Sequence, residues 1–173
     1  MSSSASPSSP APLTSERLLL RPWTLAEAAA VLGEGARPAR WAADFPAEGD
    51  RVVAGLLDQQ PAWLGEYGHR LIVERASGLV VGSIGLFWPP RDGVVEIGYG
   101  VVPSRRGRGY ASEATRALAG FALAAPGVHT VVAGVEPSNS ASVRVVEKAG
   151  FERFEPAAAE AEGNVVRFRL TSR

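Results

Sequence analysis

The spacing of apolar residues changes twice between residues 70 and 136, and this change constrains the fold more than any other feature of the sequence. Runs rich in branched and aromatic residues occupy 70–76, 79–88 and 94–102, with short turns containing Gly or Pro between them. Such runs predict strands, and turns this short predict that neighbouring strands are antiparallel. This part of the chain is therefore predicted to form a three-stranded antiparallel meander.

A helix is predicted directly after the meander. Ala114, Leu118 and Phe121 recur at helical spacing within 110–124, and residues 129–136 then return to a strand pattern. A strand, a helix and a second strand in this order predict a parallel pair joined by a right-handed crossover. The sheet is therefore expected to be mixed rather than purely antiparallel.

Capping signals predict the remaining helices. Thr24 and Glu27 fit a capping box, so Thr24 should cap a first helix, and Asp50 should cap a second over 51–60. Ser138 or Asn139 should cap a helix that runs to residue 149. Further strands are predicted at 18–21, 151–154 and 165–170. The predicted fold class is α/β, with a mixed sheet of six to seven strands and helices on both faces.

Length and composition favour one domain with a tail. The chain has 173 residues, and its first 15 are rich in Ser and Pro, so we expect a flexible tail over 1–15 and one domain over 16–173. The formal net charge is zero, which argues against a surface that tracks nucleic acid. No cysteine is present and no apolar run approaches the roughly 20 residues of a membrane span. A cytoplasmic location is expected.

The loop before the predicted crossover helix combines three arginines with two glycines. Residues 103–114 read P-S-R-R-G-R-G-Y-A-S-E-A, and a strand followed by a glycine-containing loop and a helix is a common anion site. A P-loop would need a Lys that is absent, and a Rossmann loop would need a glycine where Ser112 stands. By itself the loop could equally be a solvated turn or a nucleic-acid patch.

A second element agrees with a binding site. Residues 136–151 read E-P-S-N-S-A-S-V-R-V-V-E-K-A-G-F, and Asn139, Ser142 and Val146 share one helical face. Two polar groups in the first turn of this helix, next to a strand end, indicate ligand contacts. The alternative is that Asn139 only caps the helix and Ser142 lies at the surface.

Together the two elements resemble the GNAT superfamily of acetyl-CoA-dependent N-acetyltransferases, and the branch with the ribosomal-protein N-terminal acetyltransferases in particular. The family motif [QR]-x-x-G-x-[GA] is similar to residues 106–111, and N-x-x-S followed by E-K-x-G-F is similar to residues 139–151. The resemblance implies a V-shaped sheet that holds acetyl-CoA in its split. It implies backbone contacts to the pyrophosphate from Arg106, Gly107, Arg108, Gly109, Tyr110 and Ala111. It also implies pantetheine contacts from Val101, Val102 and Asn139.

The implied reaction is transfer of an acetyl group to a primary amine by direct attack in a ternary complex, without a metal. Glu96 is the candidate base, since it is a carboxylate in an otherwise apolar strand, although it could instead face solvent. Ser142 is the candidate acid by its place in the family pattern, with Tyr99, Tyr110 or water as alternatives. The acceptor, a protein N-terminus or a small molecule, is not identified by any motif. A homodimer is plausible by resemblance, and a non-catalytic acyl-CoA-binding module is the alternative function.

Overall fold

The computed structural model describes residues 10–158, 161 and 163–173. Its strands are β1 Leu13–Thr14, β2 Leu18–Pro22, β3 His69–Glu74, β4 Leu79–Leu86, β5 Val94–Val101, β6 Thr130–Val135, β7 Glu152–Phe154 and β8 Val166–Thr171. Its helices are α1 Leu25–Val31, α2 Glu48–Leu57, α3 Tyr110–Leu123 and α4 Ser140–Lys148. None of the described helices is long and apolar enough to cross a bilayer.

All eight strands form one sheet, in the order β1-β2-β3-β4-β5-β6-β8-β7. Neighbours are antiparallel except β5 and β6, which are parallel, so both the meander and the crossover through α3 are confirmed. The expected count of six to seven strands was one too low. The additional strand is β1, where Leu13 pairs with Leu20, within the stretch expected to be a tail. Residues 1–9 of that tail lie outside the described residues.

The predicted N-caps of α1 and α4 are correct, and that of α2 is not. Thr24 caps α1 through a capping box with Glu27, as predicted. In contrast, α2 begins at Glu48 with Ala47 as its N-cap, so the prediction that Asp50 caps a helix at residue 51 was wrong. Asp50 lies inside the first turn, where its carboxylate accepts a hydrogen bond from the Ala47 N–H at 2.8 Å. Asn139 caps α4 by accepting a hydrogen bond from the Ser142 N–H at 3.1 Å.

Helices lie on both faces of the sheet. Asp50 of α2 accepts a hydrogen bond from Ser83 of β4, whereas Phe121 of α3 lies 5.5 Å from the guanidinium of Arg70 on β3. Arg70 pairs across the ladder with Ile84, the residue next to Ser83, and adjacent residues of a strand point to opposite faces. α2 and α3 therefore pack against opposite faces, which we call the α2 face and the α3 face.

The sheet splits between β5 and β6. The two strands pair only over Val94–Thr130, Val95–Val131 and Glu96–Val132, although β5 continues to Val101 and β6 to Val135. β6 stays paired with β8 along its whole length, so its C-terminal half follows β8 and diverges from β5. A sheet that divides in this way is V-shaped, and the open end of the V lies at the C-terminal ends of both strands.

Candidate functional site

A cavity of about 390 Å³ occupies the open end of the V, and we call it the split cavity. It lies between the end of β5, the loop before α3 and the first turns of α3 and α4. Predicted site residues that line it are Val101, Arg106, Gly107, Gly109, Tyr110, Ala111, Asn139 and Ser142. Its charged lining residues are all basic, namely Arg105, Arg106, Arg144 and Lys148. The cavity therefore favours an anionic ligand.

The loop between β5 and α3 exposes backbone amides to this cavity. Pro103 opens a short 3₁₀ turn, and Gly107 and Gly109 then adopt left-handed φ angles of 76° and 81°. Gly109 is the N-cap of α3 and has no side chain that could bind the first amides of the helix. The first amides of a helix have no partner within the helix, and they carry the positive end of its dipole. The cavity wall is thus a suitable site for an anion.

A buried carboxylate holds this loop in place. The carboxylate of Glu74 lies 3.4 Å from Arg105 Nε and 3.6 Å from Arg108 Nη1, and it accepts hydrogen bonds from the hydroxyls of Tyr110 at 2.7 Å and Ser77 at 2.6 Å. The hydrogen bonds from Ser77 and Tyr110 hold the pKa of Glu74 below its ordinary value. The Tyr110 hydroxyl is therefore committed to Glu74, so Tyr110 offers a ligand its backbone amide, whereas the half-exposed Arg108 side chain keeps further donors free.

Arg17 braces the same loop from the other side. Its backbone N–H and its Nε donate to Glu113 of α3 at 2.9 and 2.8 Å, and its Nη1 donates to the Arg108 carbonyl at 2.7 Å. Its guanidinium also lies over the Tyr110 ring, 4.8 Å from the centroid. A Cβ at Gly109 would stand 3.3 Å from Arg17 Nη2, which Arg17 could relieve by a small shift, so it is the φ of 81° that requires glycine here. The sequence analysis assigned no role in the site to either Glu74 or Arg17.

Two hydroxyls meet at the inner end of the split cavity. The Tyr99 hydroxyl lies 2.6 Å from Ser142 Oγ, and it also donates to the Ser142 carbonyl at 3.2 Å. Burial raises the pKa of the Tyr99 phenol, so it remains protonated at neutral pH. Tyr99 and Ser142 form a hydroxyl pair, in which either oxygen can act as donor, and they lie together in the cavity lining. Tyr110, an alternative acid, instead donates its hydroxyl proton to Glu74.

Of the two residues at the end of β5 implied for pantetheine contacts, Val101 lines the split cavity and Val102 does not. The Val102 N–H donates to the Val81 carbonyl at 2.9 Å and Val102 is buried, so Val102 does not reach the split cavity. Hydrogen-bonding direction alternates along an antiparallel strand, and the backbone N–H groups of Tyr99 and Val101 therefore face the split. The Val101 carbonyl accepts a hydrogen bond from Arg106 Nε at 2.9 Å, which secures the loop to the strand.

Glu96 lies outside the split cavity. It sits at the last paired position of β5 with β6, its side chain is 46% exposed, and its carboxylate lies 3.8 Å from Arg167 Nη1. The structure therefore does not bring Glu96 together with the Tyr99–Ser142 pair. Within the described ranges, no group of three or more His, Cys, Asp or Glu residues could hold a metal ion.

A second cavity, of about 400 Å³, lies on the α2 face, and we call it the α2 cavity. It shares Tyr99, Gly100, Val101 and Arg106 with the split cavity, so the two meet at the end of β5. Asp50, His69 and Ser83 line it, and all three are buried. Desolvation lowers the pKa of His69 to about 4, so its ring is neutral at physiological pH. The sequence analysis took Asp50 for a helix cap and did not place these residues at a site.

The family model for the acetyltransferase (GNAT) domain matches residues 17–152. The chain belongs to the GNAT acetyltransferase family. In Bacillus subtilis (strain 168), "Probable N-acetyltransferase YjcK" is 36% identical over 87 residues, covering 49% of this chain and 48% of the relative. "Uncharacterized N-acetyltransferase YjdG" of the same organism is 34% identical over 82 residues, covering 47% and 49%. The chain thus spans about half the length of the curated relatives it matches.

Solved structures share the fold of this GNAT chain over nearly its whole length. An acetyltransferase from Agrobacterium tumefaciens str. C58 superposes with a TM-score of 0.66 at 25% identity, covering 94% of this chain and 95% of the other. RimL, a ribosomal L7/L12 alpha-N-protein acetyltransferase in complex with coenzyme A, has a TM-score of 0.65 at 18% identity, covering 93% and 98%. At 18% identity this likeness shows a shared fold alone.

Proposed function

We propose that this protein transfers the acetyl group of acetyl-CoA to a primary amine by direct attack within a ternary complex. The observation that carries the proposal is that a basic cavity meets a cavity with a buried carboxylate at Tyr99, Gly100 and Val101. The split cavity has basic walls and exposed helix amides, as an anionic cosubstrate requires. The α2 cavity contains a buried carboxylate, as an ammonium group requires.

The split cavity fits the charged half of acetyl-CoA. A diphosphate prefers backbone N–H groups at a helix N-terminus, and the first turn of α3 supplies them from Tyr110, Ala111 and the preceding glycine loop. Glu74 and Arg17 hold these amides in place before a ligand arrives, which reduces the entropic cost of binding. Arg106, Arg144 and Lys148 add positive potential at the cavity walls.

The pantetheine arm is proposed to lie along the unpaired edge of β5. The Tyr99 and Val101 N–H groups face the split where β6 has diverged, so an amide-containing chain can bind there much as an added strand would. Asn139 lies across the cavity, but its side-chain oxygen already accepts the Ser142 N–H. Its proposed contact with the ligand therefore uses its amide NH₂ group.

The chemistry proposed for the junction needs a proton donor for the leaving thiolate. In the transfer, the amine nitrogen bonds to the acetyl carbon while the carbon–sulfur bond breaks. Ser142 Oγ, backed by the Tyr99 hydroxyl at 2.6 Å, is the donor proposed to protonate the sulfur. Because the Tyr99 phenol stays protonated, it can return a proton to Ser142 through their shared hydrogen bond.

Titration calorimetry with acetyl-CoA, followed by a free-thiol assay with primary amines, tests the proposed function. We expect saturable acetyl-CoA binding and thiol release that depends on the added amine. Absence of binding at millimolar acetyl-CoA would refute the proposal. Tight binding without thiol release across a broad amine panel would instead favour a non-catalytic acyl-CoA-binding module.

Filling the split cavity should block the cosubstrate. Ala141 is exposed on α4 and lines the cavity, so Ala141→Trp should weaken acetyl-CoA binding by at least about tenfold, or 1.4 kcal/mol, without lowering Tm. The matched control is Ala26→Trp, an exposed helical position of α1 outside both cavities. Gly109 is unsuitable for this test, because any side chain there is strained by its φ of 81°. Equal affinities for both variants would place the ligand elsewhere.

Glu96 is proposed to have at most an indirect role, through water, in removing the amine proton. From its exposed position beside Arg167 we expect Glu96→Gln to lower kcat by less than about threefold, equivalent to roughly 0.7 kcal/mol in the barrier. Acetyl-CoA affinity should not change. A loss of about a hundredfold or more, measured by steady-state thiol release, would instead identify Glu96 as the base.

A further inference from the structure

We propose that Asp50 binds the ammonium group of the acceptor in the α2 cavity and takes its proton, and that the cavity selects acceptors with a single ammonium group on an apolar stem. This inference rests on the acetyl transfer proposed above. It assigns to Asp50 the role of catalytic base that the sequence analysis gave to Glu96.

Asp50 is a buried carboxylate outside the described ion pairs, and the charge of the adjacent Arg51 offsets only part of the effect of burial on its pKa. Its side chain is directed at the sheet, and the residue is only 3% exposed. It accepts one hydrogen bond from the Ser83 hydroxyl and one from the Ala47 N–H, which leaves about half of the acceptor positions of a carboxylate unused. None of the ion pairs in the described part of the chain includes Asp50. A bound ammonium group would supply a full countercharge.

Burial raises the pKa of Asp50, which has two consequences. The carboxylate is destabilised in the free protein, so a cation that binds beside it gains more than it would at the surface. A carboxylate with a raised pKa is also a better proton acceptor for an ammonium group.

His69 gives independent evidence that this cavity takes a polar ligand. His69 lines the cavity, the residue is 2% exposed, and its Nε2 is buried without a hydrogen-bond partner among the described residues. A buried polar atom left unpaired costs about 1–3 kcal/mol, so a ligand that pairs with it is favoured. Because the ring is neutral, it does not repel an ammonium group.

The α2 cavity extends from Asp50 to residues that also line the split cavity. Ser83, the hydrogen-bond partner of Asp50, lies directly opposite Gly100 in the β4–β5 ladder. A Cβ at Gly100 would have no heavy atom within 4 Å, so the space beside it is open. The flanking residues Tyr99 and Val101 line both cavities.

The proton balance of the step is complete. The ammonium group transfers one proton to Asp50 and becomes the neutral amine, which attacks the acetyl carbon. The thiolate that leaves receives a proton from the Ser142 hydroxyl. The attacking nitrogen loses its second proton as the amide forms, and that proton restores the Tyr99–Ser142 pair through solvent. Asp50 releases its own proton to solvent after the product has left.

The charges of the α2 cavity restrict the acceptor. One carboxylate and one guanidinium, Asp50 and Arg106, line it, so its net charge is zero with a neutral histidine. A polyamine or aminoglycoside would place further ammonium groups near Arg106 without a partner. The walls at its mouth are apolar and accessible, with Val52 and Phe87 59% and 38% exposed. An amine with one positive charge and an apolar neighbour therefore fits this cavity, whether it is a free monoamine or a peptide N-terminus.

Asp50→Asn is the decisive variant, because an asparagine can keep both hydrogen bonds while losing the charge. We expect kcat/KM for the amine to fall by at least about a hundredfold, with acetyl-CoA affinity unchanged by calorimetry. The matched control is Asp58→Asn at the exposed C-terminal end of the same helix, which should behave like the wild type. Wild-type kinetics in Asp50→Asn would overturn the role proposed for Asp50. If the wild type itself does not bind acetyl-CoA, the proposed function is overturned instead.

The pH dependence separates a base from a structural residue. In the wild type, kcat/KM should decrease as the pH is lowered and Asp50 becomes protonated. This decrease, the acid limb of the pH profile, should be absent in Asp50→Asn. It should be present in both Asp50→Glu and Glu96→Gln. Replacing a residue that only supports the fold would lower Tm without shifting the acid limb of the pH profile.

Because the pKa of Asp50 is raised by folding, its ionised form destabilises the folded state above that pKa. Asp50→Asn should therefore be at least as stable as the wild type at neutral pH.

Three probe amines test the substrate class, namely phenethylamine, a short alanyl peptide amide with a free N-terminus, and spermidine. We expect kcat/KM of the better of the two single-ammonium probes to exceed that of spermidine by at least about tenfold. Comparing phenethylamine with the alanyl peptide amide then shows whether the acceptor is a free amine or a protein N-terminus. Preference for spermidine would overturn the proposed selectivity. If no probe is acetylated, calorimetry should measure binding of the amine probes to the CoA complex of the wild type and of Asp50→Asn. Amine binding that is equally strong in Asp50→Asn would also overturn the role proposed for Asp50.

Discussion

Replacing Ser142 by alanine is expected to lower kcat by about 10²–10⁴, the usual contribution of a positioned acid or base, while acetyl-CoA affinity stays nearly constant. The reason is that the departing thiolate loses its proton donor, whereas the cradle for the phosphates, built by the β5–α3 loop, is untouched. The α4 cap should survive, because Asn139 binds the backbone N–H of residue 142 rather than its hydroxyl.

The matched control for this variant is Ser140→Ala, at the first position of the same helix and outside the split cavity. Its kinetics should be close to wild type. Steady-state thiol release at saturating acetyl-CoA measures kcat, and calorimetry measures affinity in parallel. A normal kcat in Ser142→Ala would exclude Ser142 as the acid.

Tyr99→Phe distinguishes a hydroxyl pair from a single acid. If Tyr99 supports the proton donation of Ser142, the single variants should each be impaired, and the double variant should be hardly worse than the more impaired of the two. Losses that multiply in the double variant would show that the hydroxyls act independently. Because burial raises the pKa of Tyr99, we also expect no decline of kcat from its ionisation below about pH 10.

Most of the fold was predictable because local patterns determine it. The capping box of Thr24, the short turns of the meander and the switch to helical spacing at Ala111 each reflect interactions within a few residues of chain. The parallel crossover then follows from handedness rules that hold for most proteins. Strand β1 was missed because two residues carry no periodicity, and its existence depends on Leu13 pairing with Leu20.

The start of α2 shows where local reasoning fails. Asp50 is a good N-cap by type, yet it lies in the first turn of α2, where Ser83, 33 residues away, binds its carboxylate on the α2 face. No pattern near Asp50 reports that partner. The same difficulty concealed His69, whose importance comes from the cavity it lines rather than from its neighbours in sequence.

The candidate site was predictable where it consists of backbone and unpredictable where it consists of distant side chains. Glycines at 107 and 109 indicate exposed amides, and the structure places them at the split cavity. Both Val101 and Val102 were implied as contacts, and which of their N–H groups faces the split depends on the register of β5 against β4, which alternation alone does not determine. Glu96 was favoured because it interrupts an apolar strand, but the strand divergence and Arg167 decide where its carboxylate lies.

Glu74→Gln is expected to lower both stability and acetyl-CoA affinity. The Glu74 side chain is 8% exposed and its carboxylate receives two hydroxyl hydrogen bonds and two arginines, so loss of its charge should cost about 1–3 kcal/mol in the free energy of unfolding. Because Arg105 and Arg108 belong to the loop that carries the exposed amides, we also expect about tenfold weaker acetyl-CoA binding. Glu34→Gln, at an exposed position, is the control.

The pH dependence identifies charge as the cause of this stabilisation. The folded-state pKa of Glu74 lies below its ordinary value, so its contribution is complete above the unfolded-state pKa of about 4.3 and is lost as pH falls through the folded-state value. In denaturant titrations, the difference between the wild type and Glu74→Gln should therefore be constant near neutral pH and shrink in acid. A difference that persists unchanged down to pH 2 would mean that packing, rather than the charge of Glu74, holds the loop beside the split cavity.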